Sequence, residues 1–168
     1  YMLITLPNLD GSFTCTLFMP FEGYNSFELL TDRKLVEAFF IKNFPDSIDV
    51  IPKLAEDFFK NPTSTLVTMK CYPWTFEDKV ALIGDACHAI VPFYGQGMNA
   101  GFEDITVLDE MISKYGDDWK TIFTEYQKSR KPNADAIAEL SYRNFMEMSS
   151  KTADDKFLLQ KKIEKLFA

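Results

Sequence analysis

Alternation of apolar and polar positions dominates the start of the chain. Met2 to Leu6 and Ser12 to Met19 each read as a strand, and Asn8-Leu9-Asp10-Gly11 between them has turn chemistry, so a hairpin is predicted. Thr14, Thr16 and Phe18 share one face of the second strand and Phe13, Cys15 and Leu17 the other. Neither face is clearly polar, which predicts a sheet covered on both sides or facing a cavity. The period then changes. Asp32 is placed to cap a helix through Leu35, Phe39, Phe40 and Ile41, and Ser47 to cap another through Ile51, Leu54, Phe58 and Phe59, ended by Asn61-Pro62.

Alternation returns from Ser64 to Lys70, a predicted strand interrupted at Pro73-Trp74. Val80-Ala81-Leu82-Ile83 is a short, continuous apolar run that suits a strand buried on both faces. After a loop from Pro92 to Gly97, the residues Met98, Phe102, Ile105, Leu108 and Ile112 form one helical stripe, with Glu103, Asp104, Asp109 and Glu110 mostly opposite. Trp119 to Met148 is predicted helical, broken or kinked at Pro132. A last helix is predicted from Ala153 to Phe167, with Phe157, Leu158, Ile163, Leu166 and Phe167 as its apolar positions. The fold class is α/β, an α+β arrangement within this stretch. Three segments are predicted: 1–75 (hairpin, helices and a strand), 76–115 (buried strand and glycine loop into a helix) and 116–168 (helices). There is no internal repeat and no low-complexity stretch.

Composition narrows the function classes. The chain has 168 residues, 46% of them hydrophobic and 26% charged, which is an ordinary globular balance. Its net charge of −7 and lack of a Lys/Arg stripe argue against a nucleic-acid partner. No apolar run is long enough for a membrane helix, and no leader peptide is recognisable. Cys15, Cys71 and Cys87 are widely spaced and form no CxxC pair, so neither a disulfide framework nor a metal cluster is indicated, and reduced, buried thiols in a cytoplasmic protein are expected. His88 is the sole histidine, which disfavours a multi-histidine metal site or a Ser-His-Asp triad. The chain begins strand-like at Tyr1-Met2-Leu3-Ile4 and stops inside a helical pattern at Leu166-Phe167-Ala168, so both ends are expected to be cuts in a longer chain. The 16 phenylalanines suit a core, and would equally suit a site for a flat apolar ring.

The chemistry concentrates between Gly84 and Asp104. Asp85 follows the apolar run, at the place where an α/β sheet opens a ligand crevice, and its carboxylate suits the hydroxyls of a sugar-alcohol chain. Gly95 and Gly97 allow close approach of the backbone to a ligand. Gly97, Met98 and Asn99 form the first turn of the next helix, where free N–H groups and the helix dipole favour negative charge. A strand, a glycine loop and a helix with no ligand would use Asp85 only as a cap. The joint occurrence of these features favours a ligand.

This segment, Gly84-Asp85-Ala86-Cys87-His88-Ala89 followed by Pro92-Phe93-Tyr94-Gly95-Gln96-Gly97-Met98-Asn99, resembles the second flavin motif of the class A flavoprotein monooxygenases. The resemblance implies a para-hydroxybenzoate-hydroxylase type of fold, FAD as cofactor and NADPH as reductant. It implies contacts of Asp85 with the ribityl and pyrophosphate region and of Met98 and Asn99 with the isoalloxazine edge, where the helix start at Gly97 would stabilise the reduced, anionic flavin. Oxygen transfer from a flavin C4a-hydroperoxide to an aromatic ring is the implied chemistry, with no protein side chain as a catalytic group.

Further matches point to the kynurenine-hydroxylating branch of that family. They are Ser12 to Phe21, Ala89-Ile90-Val91-Pro92-Phe93, Gly101-Phe102-Glu103-Asp104 and Tyr142-Arg143-Asn144-Phe145-Met146-Glu147-Met148. By this likeness Asn144 contacts the amino-acid end of L-kynurenine, while Ile4, Leu6, Phe18, Pro92 and Phe93 line the pocket around its ring. Pro92 and Phe93 are also the residues expected to shield the reaction from water. The place of His88 in the motif points to a hydrogen bond that orders the loop.

The chain departs from the family in lacking its G-x-G-x-x-G motif for the ADP part of FAD. The Arg and Tyr that the family brings to the substrate carboxylate from its N-terminal half are missing too. The missing N-terminal FAD-binding half is therefore an expected partner, and the chain alone is expected to be inactive. Two other readings stay open: a hydroxylase of a phenolic or salicylate-like ring, and a non-catalytic interaction module.

Overall fold

The computed structural model describes residues 1–152 and 154–167. Helices and small sheets are mixed along the chain, which divides into two compact units, Tyr1–Ser64 and Thr65–Ala168.

In the first unit, β1 (Met2–Pro7) and β2 (Phe13–Phe18) pair antiparallel, with Ile4 opposite Thr16 and Leu6 opposite Thr14. Asp10 closes the turn by accepting from the Ser12 N–H at 2.9 Å and the Ser12 hydroxyl at 2.6 Å. The hairpin is less covered than its apolar faces predict. Leu3, Leu17 and Met19 pack on the core, whereas Leu6, Phe13 and Cys15 are exposed. Among the described residues these two strands have no further strand to extend their cover.

Asp32 caps α1 (Arg33–Asn43), accepting from the N–H groups of Lys34 at 2.8 Å and Leu35 at 3.0 Å. Val36, Phe39 and Phe40 are its buried residues, while Leu35 and Ile41 are exposed. Ser47 does not cap the second helix. Its hydroxyl donates to the Phe44 carbonyl at 2.6 Å and closes a 3-10 turn, Pro45–Ser47. The helix α2 (Leu54–Lys60) starts only after Lys53. Pro52 accounts for the delay, because the residue before a proline is pushed out of helical backbone, which keeps Ile51 from joining. Leu30, Val36, Phe39, Phe40 and Ala55 form the core, surrounded by Phe44, Ile48, Leu54 and Phe58.

In the second unit, the strand predicted up to Lys70 does not form; the Met69 N–H instead donates to the Ala89 carbonyl at 2.7 Å. β3 (Thr75–Phe76) and β4 (Val80–Ala81) make a short antiparallel pair. The apolar run Val80 to Ile83 is therefore not a strand covered on both faces, and Val80 is exposed. Such a strand needs a neighbour on each side, and among the described residues β4 has only β3.

The rest is helical: α3 (Asp85–His88), α4 (Gly97–Tyr115), α5 (Trp119–Met146) and α6 (Asp155–Phe167), with a π-helical turn at Glu147–Lys151. Pro132 does not break α5, which runs on past it. Ala153, the expected start of the last helix, lies outside the described residues. The core of this unit holds Trp74, Cys87, Tyr126 and Ala134, with Leu82, Ile83, Val107 and Leu108 against it. No helix among the described residues is long and apolar enough to cross a membrane.

Candidate functional site

The stretch richest in candidate chemistry folds as a tight turn followed by two helix starts. Gly84 has φ +62° and ψ −140°, a backbone shape that side-chain-bearing residues rarely adopt. Its carbonyl accepts from the N–H groups of Cys87 and His88, both at 3.0 Å, which starts α3. Asp85 is the first residue of that short helix and is exposed. The turn lies close to α4: a Cβ added to Gly101 would sit 3.9 Å from the Gly84 Cα.

At the start of α4 no side chain caps the helix. Ala100 bonds back to the Gln96 carbonyl at 2.9 Å, but the N–H groups of Gly97, Met98 and Asn99 have no hydrogen-bond partner among the described residues. These are the orphan donors of a helix N-terminus, backed by the dipole of a long helix. The side chains at this end are turned outward or satisfied locally. Met98 is 72% exposed, and the Asn99 amide donates to Gln96 Oε1 at 2.9 Å. Such a donor set suits the electron-rich N1–C2 carbonyl edge of a flavin. An exposed carboxylate on Asp85 suits ribityl hydroxyls. The residues present thus fit the flavin portion of FAD.

Behind this surface lies a buried polar cluster. Asp104, fully buried on α4, accepts at Oδ2 from the Gly84 N–H at 2.9 Å and from His88 Nε2 at 2.5 Å. At Oδ1 it accepts from Arg130 Nε of α5 at 2.8 Å. Arg130, 1% exposed, also donates from Nη2 to the Ala100 carbonyl at 3.2 Å. Its Nη1 forms an ion pair with Glu103, 2.7 Å from Oε2. Burial pushes the Asp104 carboxyl up, but the bonds from His88, Arg130 and Gly84 outweigh it and hold the group below its usual range. The hydrogen bond to Asp104 holds His88 above its ordinary value against desolvation. His88 thus makes the loop-ordering bond expected of it. Burial, then the Asp104 charge, pushes the Cys87 thiol up to about 12.

The ligand atoms of Cys87, His88 and Asp104 lie within 4.8 Å of one another. Both Asp104 oxygens are already engaged, the thiol holds its proton, and the Arg130 cation sits alongside. These features make the group a hydrogen-bonded cluster rather than a cation site. Arg130 and the burial of Asp104 escaped the sequence pattern, which set Asp104 opposite the apolar stripe of α4. In fact Met98, Phe102 and Ile105 are exposed, and Ala100 and Asp104 are buried. One signal was available. Ile122, Tyr126, Arg130, Ala134 and Ala138 recur at four-residue spacing on α5, so Arg130 interrupts an otherwise uncharged stripe and requires a buried partner.

The candidate substrate residues fall in both units. In the first, Ile4 and Phe18 are half-buried and Leu6 is exposed, all on the hairpin. In the second, Phe93 is buried and Pro92 exposed in a 3-10 turn, Pro92–Tyr94. Asn144 of α5 is half-buried; its amide donates to the Phe93 carbonyl and contacts Met148 Sδ at 3.6 Å. The Phe93 ring packs on Phe145 at 4.8 Å between centroids. Phe93 and Asn144, far apart in sequence, are thereby brought together.

The chain is 88% identical over 168 residues to a kynurenine 3-monooxygenase of Flavobacterium johnsoniae, covering all of this chain and 38% of that protein. It is 80% identical over 168 residues to the one of Flavobacterium psychrophilum, again covering all of this chain and 38% of the relative. The one of Dictyostelium discoideum is 49% identical over 178 residues, covering 99% of this chain and 39% of the relative. The chain thus spans less than two fifths of the length of these relatives. A family described as "FAD binding domain" matches residues 37–141, more than half the chain and inclusive of the Gly84 turn, the α4 start and Arg130. The chain belongs to this FAD binding domain family.

Proposed function

We propose that this chain contributes the flavin-ring and substrate portion of an FAD-dependent monooxygenase, of the para-hydroxybenzoate-hydroxylase type of fold, that converts L-kynurenine to its 3-hydroxy product with NADPH and O2. The observation that carries the flavin part is the start of α4, three N–H groups without a partner among the described residues, beside the Gly84-Asp85 turn. The substrate part is supported by the likeness, along the whole chain, to proteins named kynurenine 3-monooxygenase. Bound FAD would supply the redox chemistry, taking electrons from NADPH and delivering one oxygen atom of O2 to the ring.

The chain's own residues bind and shield. Asp85 accepts hydrogen bonds from the ribityl region, and the α4 N-terminus at Gly97, Met98 and Asn99 stabilises negative charge on the pyrimidine edge. Pro92 and Phe93 keep water from the reacting atoms. Asn144 holds both the Phe93 carbonyl and the amino-acid end of the substrate, and Ile4, Leu6 and Phe18 line the pocket for its ring. The sequence holds no G-x-G-x-x-G for the ADP part of FAD, so the 168-residue chain alone is proposed to lack turnover. Cysteines free of disulfides suit a reducing compartment, and the cytoplasm is the proposed location.

The test uses the full-length protein with FAD, NADPH and L-kynurenine, and mass spectrometry for a product heavier by one oxygen. 3-Hydroxykynurenine with matching NADPH consumption is the expected result. NADPH consumed only to H2O2 would leave the flavin role standing and remove kynurenine. A product from a phenolic ring instead would transfer the chemistry to that substrate class. A colourless protein that NADPH does not bleach would leave an interaction module.

A further inference from the structure

We infer that Asp104 is a positioning residue for the cofactor: its carboxylate sets the Gly84-Asp85 turn against the start of α4, with Arg130 as the brace. The inference rests on the flavin reading above. Asp85 and the N–H groups of Gly97, Met98 and Asn99 come from separate segments, joined by the 3-10 turn Pro92–Tyr94 and its flanks. A ligand that contacts both needs their spacing held. Asp104, two turns into α4, accepts the Gly84 N–H through Oδ2 and so ties the turn to that helix, whereas the Cys87 thiol, which donates to the Gly84 carbonyl at 3.3 Å, belongs to α3 itself.

The same oxygen takes His88 at the far end of α3, so both ends of that short helix are tied to one carboxylate. Oδ1 takes Arg130, and Arg130 reaches over to the carbonyl of Ala100 in the first turn of α4. The turn, the helix start and α5 therefore meet at Asp104. An ionised carboxylate accepts all three donors at once, which an amide or an apolar side chain does not. Neither Asp104 nor Arg130 is exposed to a ligand, so their role is exerted through Gly84, Asp85 and Ala100.

Charge burial and positioning are separable by experiment in the full-length protein. Asp104→Leu alone strands the Arg130 cation and lowers the melting temperature. Asp104→Leu combined with Arg130→Met removes the cation as well, and most of the melting loss returns. The combined variant still leaves the Gly84 N–H without its acceptor. Positioning predicts that the FAD dissociation constant, from flavin fluorescence titration of the deflavinated protein, stays raised by about tenfold or more. A purely structural ion pair predicts that melting temperature and FAD affinity recover together; affinity within twofold of the parent would overturn the inference.

If the combined variant does not melt cooperatively, Arg130→Lys is read instead. It keeps the charge beside Asp104 but not the second reach to Ala100. An FAD affinity weakened about threefold at near-parent melting temperature is then expected; unchanged affinity overturns the inference. A parent protein that takes up no FAD brings down the functional reading and this inference with it, whereas FAD binding equal in parent and variant brings down this inference alone.

Discussion

The two units are held together by different physics. In the first, the core is aromatic and aliphatic. Phe39 meets Phe40 edge-on at 5.6 Å and Tyr1 at 5.4 Å, and the buried Ser26 and Ser47 each donate to a nearby backbone carbonyl. In the second, Trp74, Tyr126 and Ile122 share the interior with His88, Asp104 and Arg130. Apolar burial scales with area and has little direction. A buried charge is tolerable only where partners meet it at defined angles and distances. The first unit therefore gains its stability from bulk, and the second gains definition of geometry. The second unit is also the one that carries the glycine turn and the helix start proposed to face a flavin.

The largest expected effect breaks this contrast at its centre. Asp104→Ala leaves the Arg130 guanidinium buried without a full counter-charge and costs about 3–5 kcal/mol, read as a fall in urea midpoint of the full-length protein. Val36→Ala, at a fully buried site of the first unit, removes only apolar atoms and costs about 2 kcal/mol. Equal losses for the two would erase the distinction drawn here.

Asn144→Ala sharpens the functional side. The kynurenine KM in the full-length protein should rise about tenfold, the equivalent of one hydrogen bond, with FAD affinity unchanged. An unaltered substrate response would remove Asn144 from the site.

Protonation provides a smaller effect with a definite sign. His88 is raised above its ordinary 6.5 by the bond to Asp104, so the stability it contributes is full below that value and is lost as pH climbs through the folded one. Asp104 is held below 3.8, and its contribution is present above that value and lost as pH falls through the folded one. The melting temperature should therefore drop modestly from about pH 6 to about pH 8, and His88→Gln should flatten that slope. A first-unit variant such as Val36→Ala should leave the slope intact. The smallest effect is expected of His88→Asn on turnover, most of which should remain, because the histidine orders a loop and touches no reacting atom. Collapse of turnover with FAD still bound would assign His88 a chemical role.

The differing physics also explains what was legible in the sequence. The hairpin, the Asp32 cap and the end of α2 at Asn61 follow from local chemistry, and the structure has all three. The predicted Ser47 cap failed on another local rule, the effect of Pro52 on Ile51. The strand expected from Ser64 to Lys70 did not form, and the one expected from Val80 to Ile83 is shortened to Val80–Ala81, both for a non-local reason. Alternation and apolarity mark a segment that can be a strand, but a strand exists only with a hydrogen-bonded neighbour, and β4 finds two residues of β3. Along α4, the predicted apolar stripe is exposed at Met98, Phe102 and Ile105 and turns inward only at Leu108 and Ile112.

By itself the sequence determined where helices and turns begin, that the Gly84-to-Asn99 stretch presents a carboxylate and a helix start together, and the family to which that stretch belongs. These depend on residues close along the chain, so spacing is enough to read them. Tertiary structure alone decided that Asp104 is buried, that Arg130, 26 residues later, is its partner, and that Asn144 reaches the Phe93 carbonyl from a helix 51 residues away. Those choices arise because a buried charge or amide must find its complement wherever packing brings one, and no local pattern records which segment will supply it.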